Sequence, residues 1–430
     1  MTKQILLALG VVATSASLLA APSVTSVTFS QEETGPRTVT INYTLAGDEA
    51  IVTMDVLTNN VSIGDENIHF LEGDVNRLVQ PGTHQIKWFA QKSWPGHKID
   101  ESTVKVRINA WSKSAPPDYM VVDLETPSNV RYYTSTNALP DGGLTNRVYA
   151  SNRLVMKYVE AAGVTYTMGS PSSARGYNAN HAEHSATLSD NYYIGIYTIT
   201  QGQWKRIIGW YPSYNYQPNP IGDREFYPVQ YAAFNEIREV APVDDNELLT
   251  PSNPDSKGKK DVVGDASYAY PAAPASVSWL GQLSRHAGIS FDLPSECEWE
   301  YACRAGNYGA KWGDGTAIKN ADVDENLDFI GFYTHNAGGH INPVGLLVPN
   351  SWGLYDMHGN VWEWCLDFFQ ANISSLNGAV NTTTNGVKRT ERGGTFIHSA
   401  PTCYPGFRTS DEGNTRYPRV GFRVVSRIEP

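Results

Sequence analysis

The chain has 430 residues, 41% apolar and 18% charged, with a net charge of −11. Its length suits two or three domains, and its composition excludes a disordered chain, a coiled coil and a basic nucleic-acid binder. The plentiful glycine (37), tyrosine (24) and tryptophan (11) favour a loop-rich fold with polar-tipped aromatics over a helical bundle.

The chain opens with Lys3, an apolar run from Ile5 to Val12 and a small-residue stretch from Ala13 to Ala21. This is the order of a secretory signal, residues 1–21, with cleavage expected near Ala20 or Ala21. The run is shorter than the roughly 20 residues a membrane span needs. No later stretch could span a membrane, and no cysteine lies nearby to carry a lipid. A secreted or periplasmic protein is expected. Export permits disulfides. Cys297, Cys303, Cys365 and Cys403 allow three complete pairings, and spacing alone chooses none.

Residues 22–113 alternate with period two. In Thr38–Leu45 the odd positions are apolar; Val104, Val106, Ile108 and Ala110, and Ile86, Trp88 and Ala90, do likewise. Such runs predict half-buried strands, with turns at Pro81-Gly82 and Pro95-Gly96. Several strands in about 90 residues suggest an immunoglobulin-like or fibronectin-like β-sandwich, with no chemistry evident in it. Ser112 to Asp118, containing Pro116-Pro117, reads as a linker.

Residues 118–427 read as one large α+β domain. Thr200 with Gln203 predicts a capping box, with Gly209 as the stop. Ser295 with Glu298 predicts another, with Gly306 ending the helix. Residues 241–275 read as an inserted surface loop. His181-x-x-His184 is half a zinc site with no third ligand evident. Glu296, Glu298 and Glu300 look like a carboxylate cluster, but alternate residues on a helix diverge, so they are assigned to capping and pairing. No HExxH, GxSxG or P-loop motif is present.

A series of short signatures runs through this domain in fixed order. Tyr166-Thr167-Met168-Gly169-Ser170 comes first, then Tyr193-Ile194-Gly195 and Thr200-Gln201-Gly202-Gln203-Trp204. Leu293-Pro294-Ser295-Glu296 and Glu298-Trp299-Glu300-Tyr301 through Gly306 follow. Gly353-Leu354-Tyr355-Asp356-Met357, Gly359-Asn360-Val361-Trp362-Glu363-Trp364, Arg392-Gly393-Gly394-Thr395 and Gly421-Phe422-Arg423 complete it. Together they resemble the formylglycine-generating enzyme family, also called sulfatase-modifying factors, over about two thirds of the chain. The resemblance implies a C-type-lectin-like fold. It also implies oxidation of a sulfatase cysteine to formylglycine with oxygen and copper.

The same resemblance places Cu(I) between two cysteines spaced C-x4-C. Here the second is Cys403, and His398 stands at the first. Soft thiolates suit Cu(I), so the expected centre is incomplete, and ordinary copper-dependent activity is not expected. Cys403 is instead a candidate for a disulfide with Cys303. Thr395 and Trp362 match pocket residues. Asp356, Gly359, Val361 and Glu363 match a calcium site, two carboxylates and two carbonyls that suit a hard cation. Two functions follow: an exported oxidase of a sulfatase-like polypeptide, or a non-catalytic binder of a ligand or another exported protein on the same fold.

Overall fold

The structure is a computed structural model that describes residues 21–32, 37–97, 99, 102–211, 221–242, 266–268, 270–382 and 388–428. The expected leader lies outside these residues, apart from Ala21, as does most of the expected loop 241–275.

The period-two segments form strands. In β2 (Val39–Ala46) Val39, Ile41, Tyr43 and Leu45 are buried and the residues between them are not. It pairs on one side with β1 (Ser23–Gln31) and on the other, in the same sheet, with β7 (Gly82–Trp88), which also pairs β5 (Leu71–Gly73). The second sheet centres on β3 (Ala50–Thr58), with β4 (Val61–Ser62), β6 (Arg77–Val79) and β8 (Val104–Trp111) as antiparallel neighbours. Both sheets contribute to one core, in which Ile41, Tyr43, Val52, Val56, Ile86 and Trp88 are buried. The alternation continues only to Trp88, because Ala90 begins the single-turn helix α1 (Ala90–Ser93).

The segment expected as a linker is packed: Pro116 and Pro117 are buried, and the Tyr193 hydroxyl donates to the Pro117 carbonyl at 2.5 Å. It leads into a five-stranded sheet ordered β10 (Val130–Tyr133), β9 (Tyr119–Asp123), β11 (Arg153–Val159), β14 (Asn191–Gly195) and β21 (Val425–Ile428). A hairpin of β12 (Thr165–Met168) and β13 (His184–Thr187) lies between β11 and β14 in sequence. The two halves of the chain are hydrogen-bonded to each other. Tyr132 N–H donates to Asn76 O at 2.8 Å, and the hydroxyls of Thr134 and Ser135 donate to Asp65 Oδ2 at 3.0 and 2.5 Å.

The helices are short and capped. In α2 (Gln201–Ile208) Thr200 and Gln203 complete a reciprocal capping box, and Gly209 closes the helix at φ 95°. α3 (Phe234–Arg238) and α4 (Trp279–Ala287) follow, the latter capped by Ser278. The Trp204 and Trp279 rings of α2 and α4 stack at 5.8 Å, with Phe422 edge-on to both. Burying each ring removes 150–250 Å² from water, about 4–6 kcal/mol before entropy. α5 (Glu296–Arg304) has the expected Ser295–Glu298 box but ends at Ala305, which takes the left-handed conformation at φ 47° ahead of Gly306.

The remaining strands hold the site. β15 (Gly331–Phe332) pairs in parallel with β16 (His358–Gly359). β17 (Trp362–Phe368) lies between β18 (Lys388–Arg392) and β20 (Val420–Gly421), and β18 also pairs β19 (Thr409–Glu412).

Candidate functional site

α5 is acidic along its buried length. The capping box fixes its first turn, and the four-residue repeat puts Glu296 and Glu300 on one side. Arg392 spans them, Nε to Glu296 Oε2 at 3.1 Å and Nη2 to Glu300 Oε2 at 2.9 Å. Arg408 grips Glu296 with Nε at 2.5 Å and Nη2 at 2.6 Å, and Arg304 Nε meets Glu300 Oε1 at 2.8 Å. Burial raises the Glu296 pKa, and Arg408 and Arg392 more than offset it, leaving it at about 2. Glu298 points elsewhere and pairs with Arg427. The three carboxylates therefore serve pairing and capping.

Behind α5 the chain turns through Arg392-Gly393-Gly394-Thr395. Gly394 sits at φ 84°, and a Cβ there would lie 2.5 Å from Cys403 Sγ, so the main chain closes directly over the sulfur. Cys403 is fully buried, and burial pushes its pKa up to about 12. The Thr395 hydroxyl donates to Asn360 O at 3.2 Å. The His398 ring lies 5.9 Å from that of Trp362, which stacks on Phe407 at 5.9 Å. His398 Nδ1 is buried with no hydrogen-bond partner, and burial and Arg419 lower the ring's pKa.

These residues do not fit a dithiolate copper centre. Only one sulfur is present, and it is sealed and protonated. Nor is a disulfide formed, since all four cysteines are buried free thiols. The His358 ring occupies the space beside both expected partners. It is 3.8 Å from Cys303 Sγ, and its Nδ1 donates to the Cys403 carbonyl at 2.9 Å. Nε2 accepts from Gly313 N–H at 3.2 Å. The two backbone partners fix the neutral Nδ1–H tautomer, and burial lowers the pKa to about 4.

The expected calcium ligands are only partly arranged for a cation. Both Glu363 oxygens are taken: Arg423 donates to each at 2.6 and 2.7 Å, Trp299 Nε1 donates at 2.7 Å and the Thr198 hydroxyl at 2.8 Å. A cation at Glu363 would meet a guanidinium, so Glu363 does not fit. Asp356 accepts from Gly345 N–H at 2.8 Å, and burial raises its pKa to about 6. Among the described residues no group of three or more His, Cys, Asp or Glu side chains is placed to hold a metal. His181 and His184 diverge, bonding to Arg408 O at 3.1 Å and Ala182 O at 2.9 Å.

Sequence reasoning did not anticipate His358, the pairings of Arg392 and Arg408, or a cavity of about 90 Å³ close to, but not lined by, Cys403. The residues after it, Tyr404 and Pro405, line that cavity with Arg304. The Arg304-Ala305-Gly306 signature was a usable signal for the arginine, but not for what it faces.

The domain is built of short capped helices and small sheets, with buried arginine–carboxylate pairs behind an Arg-Gly-Gly-Thr turn. Residues 150–428 match the family described as the sulfatase-modifying factor enzyme 1-like domain, and the chain belongs to that family. The chaperone protein LppX of Paenibacillus barcinonensis is 26% identical over 267 residues, 57% of this chain and 84% of that protein. The formylglycine-generating enzyme of Mus musculus is 30% identical over 161 residues, 35% of this chain and 43% of the enzyme. That of Thermomonospora curvata is 29% identical over 163 residues, 35% and 54%. The match thus spans about half the length of these enzymes. Among solved structures, Treponema denticola variable protein 1 is 24% identical with a TM-score of 0.47, covering 64% of this chain and 95% of that one. PvdO from Pseudomonas aeruginosa is 20% identical with a TM-score of 0.47, covering 64% and 94%.

Proposed function

We propose that the protein is an exported member of this family that binds a ligand or another exported polypeptide and does not carry out copper-dependent oxidation of a cysteine. One observation carries the reading: His398 stands where a second sulfur is needed, and the sulfur that remains, Cys403, is buried under Gly394. A neutral ring nitrogen in place of an anionic thiolate weakens the preference for Cu(I). A thiol with a pKa near 12 adds no thiolate at neutral pH.

The N-terminal module, immunoglobulin-like in this reading, holds the family domain away from a surface or partner. Its hydrogen bonds to β10 make it a stiff spacer. One relative is named a chaperone protein, which supports engagement of a polypeptide on this fold. A sulfatase-like chain remains within the class of partner. Calcium, if held, would use Asp356 with the carbonyls of Gly359 and Val361, well short of six to eight oxygens. Among the described residues no helix is long and apolar enough to cross a membrane.

The test is to load the purified protein with Cu(I), present a Cys-x-Pro-x-Arg peptide under oxygen and assay for aldehyde. No turnover is expected, and copper-dependent aldehyde formation would make the oxidase reading correct. N-terminal sequencing of the secreted or periplasmic form should begin near Pro22; a mature chain retaining Met1 would remove the export claim.

A further inference from the structure

We propose that the cavity beside Arg304 is a binding site for a small anionic group, a carboxylate or a phosphate. The cavity lies between the segment after β12 and the residues following Cys403, and holds about 90 Å³. That is room for several waters or one small anion. Its wall carries one cation, and no lining residue is acidic.

The cation is held in place but incompletely used. Arg304 Nε donates to Glu300 Oε1, and Nη2 donates to the Gly169 carbonyl. No hydrogen bond among the described residues engages Nη1. The hydroxyls of Ser170 and Ser173, on the same wall, likewise make no hydrogen bond among the described residues. Tyr404 OH reaches Asn320 Oδ1 only at 3.4 Å. A guanidinium edge with two hydroxyls beside it offers the donors an oxyanion needs. Ile318 and Pro405 supply apolar wall for a short carbon chain.

Behind the cavity the charged groups are largely paired with one another. Arg304, Arg392 and Arg408 bond to only two carboxylates, Glu296 and Glu300. Another carboxylate beside that cluster, Asp367, accepts instead from the main-chain N–H groups of Glu296 and Asn381. Burial and the neighbouring Glu296 push its pKa up to about 7. Buried Asp324, and Asp322 paired with Arg175, also act on Tyr404. The unused Nη1 edge, rather than a surplus of positive charge, is what an anion would engage, where low polarity makes charge pairing strong.

The site is separate from the Cys403 sulfur, so it stands whether or not the protein oxidises a thiol. The experiment is calorimetric titration of the full mature chain, in weakly binding buffer, with sodium acetate, inorganic phosphate and neutral acetamide. Saturable binding of at least one of the anions, with none of acetamide, is expected. Ala310→Leu, which fills the cavity from an exposed position, and Ser173→Asp, which adds a negative charge on its exposed rim, should each weaken it by about tenfold or more. Having both variants guards against a folding defect in one, which the Tm of the anion-free protein would show. Absence of binding by either anion, equal binding of acetamide, or binding unmoved by both variants would overturn the proposal.

Discussion

Arg423 and Glu363 face each other edge to edge, Nε on Oε2 at 2.6 Å and Nη2 on Oε1 at 2.7 Å, with both side chains fully buried. The arginine also donates to the carbonyls of Gly195 and Tyr355, so it joins β14 to β17 and to the Asp356 loop. Removing one member leaves a buried, uncompensated charge. Glu363→Gln is therefore expected to cost about 3–5 kcal/mol in chemical denaturation. Because both oxygens belong to protein donors, the loss should be the same in excess calcium and in chelator. A loss that appears only with calcium present would restore Glu363 as a ligand.

The four cysteines give a second test. None is bonded, and burial raises the pKa of each thiol. Denatured without reductant, the protein should take up four alkyl groups by mass spectrometry. The native protein should take up almost none over the same period, because the thiolate is the reactive form. Two alkyl groups in the denatured sample would mean that one disulfide exists after all.

His358 predicts a pH dependence. Its folded pKa of about 4 lies below the ordinary 6.5. The unfolded chain therefore binds the extra proton first as pH falls, and stability is lost between about pH 6.5 and 4. The full shift is worth about 3 kcal/mol. His358→Gln should be less stable at pH 7 but should lack this part of the acid slope. Parallel stability–pH curves for the two proteins would contradict it.

Glu391 predicts a slope of the opposite sign. It is fully buried on β18 and neither oxygen has a hydrogen-bond partner. Burial, with Asp411 adding to it, raises its pKa well above 4.5, while Lys388 opposes. A carboxyl with a raised folded pKa is tolerated at low pH and becomes costly as pH rises above the ordinary carboxylate range. Glu391→Leu should stabilise the protein by about 1–3 kcal/mol at neutral pH, with the gain shrinking toward pH 4. A destabilised Glu391→Leu at pH 7 would show that the carboxyl contributes favourably to the fold.

Local signals were legible in the sequence and distant ones were not. The alternation of Thr38–Leu45 and the two capping boxes are short-range patterns, and each produced the element expected. α4 was legible too: Ser278 precedes Trp279, Leu280 and Leu283 at helical spacing, and Gly288 ends the run at φ 75°. The Pro-rich stretch just before it obscures that start signal. The partners of Glu296 could not be found by spacing, since Arg392 and Arg408 lie 96 and 112 residues away. The sealed state of Cys403 was equally hidden. It depends on how closely Gly394 approaches, which no composition or period encodes.

The last strand has a consequence for how the chain reaches its folded state. β21 is paired to β14, its Val425 is bridged to Asp292, and Arg427 locks onto Glu298 at the start of α5. Within the family domain, residues 150–428, these four are the last to be made. Until they are, one edge of β14 is unpaired and Glu298 in the first turn of α5 lacks its counter-ion. The family domain therefore completes its central sheet only once its last strand has been made. Its contacts join residues hundreds of positions apart, and closing such loops is slow. The order of synthesis thus leaves the domain's compact form to its final strand.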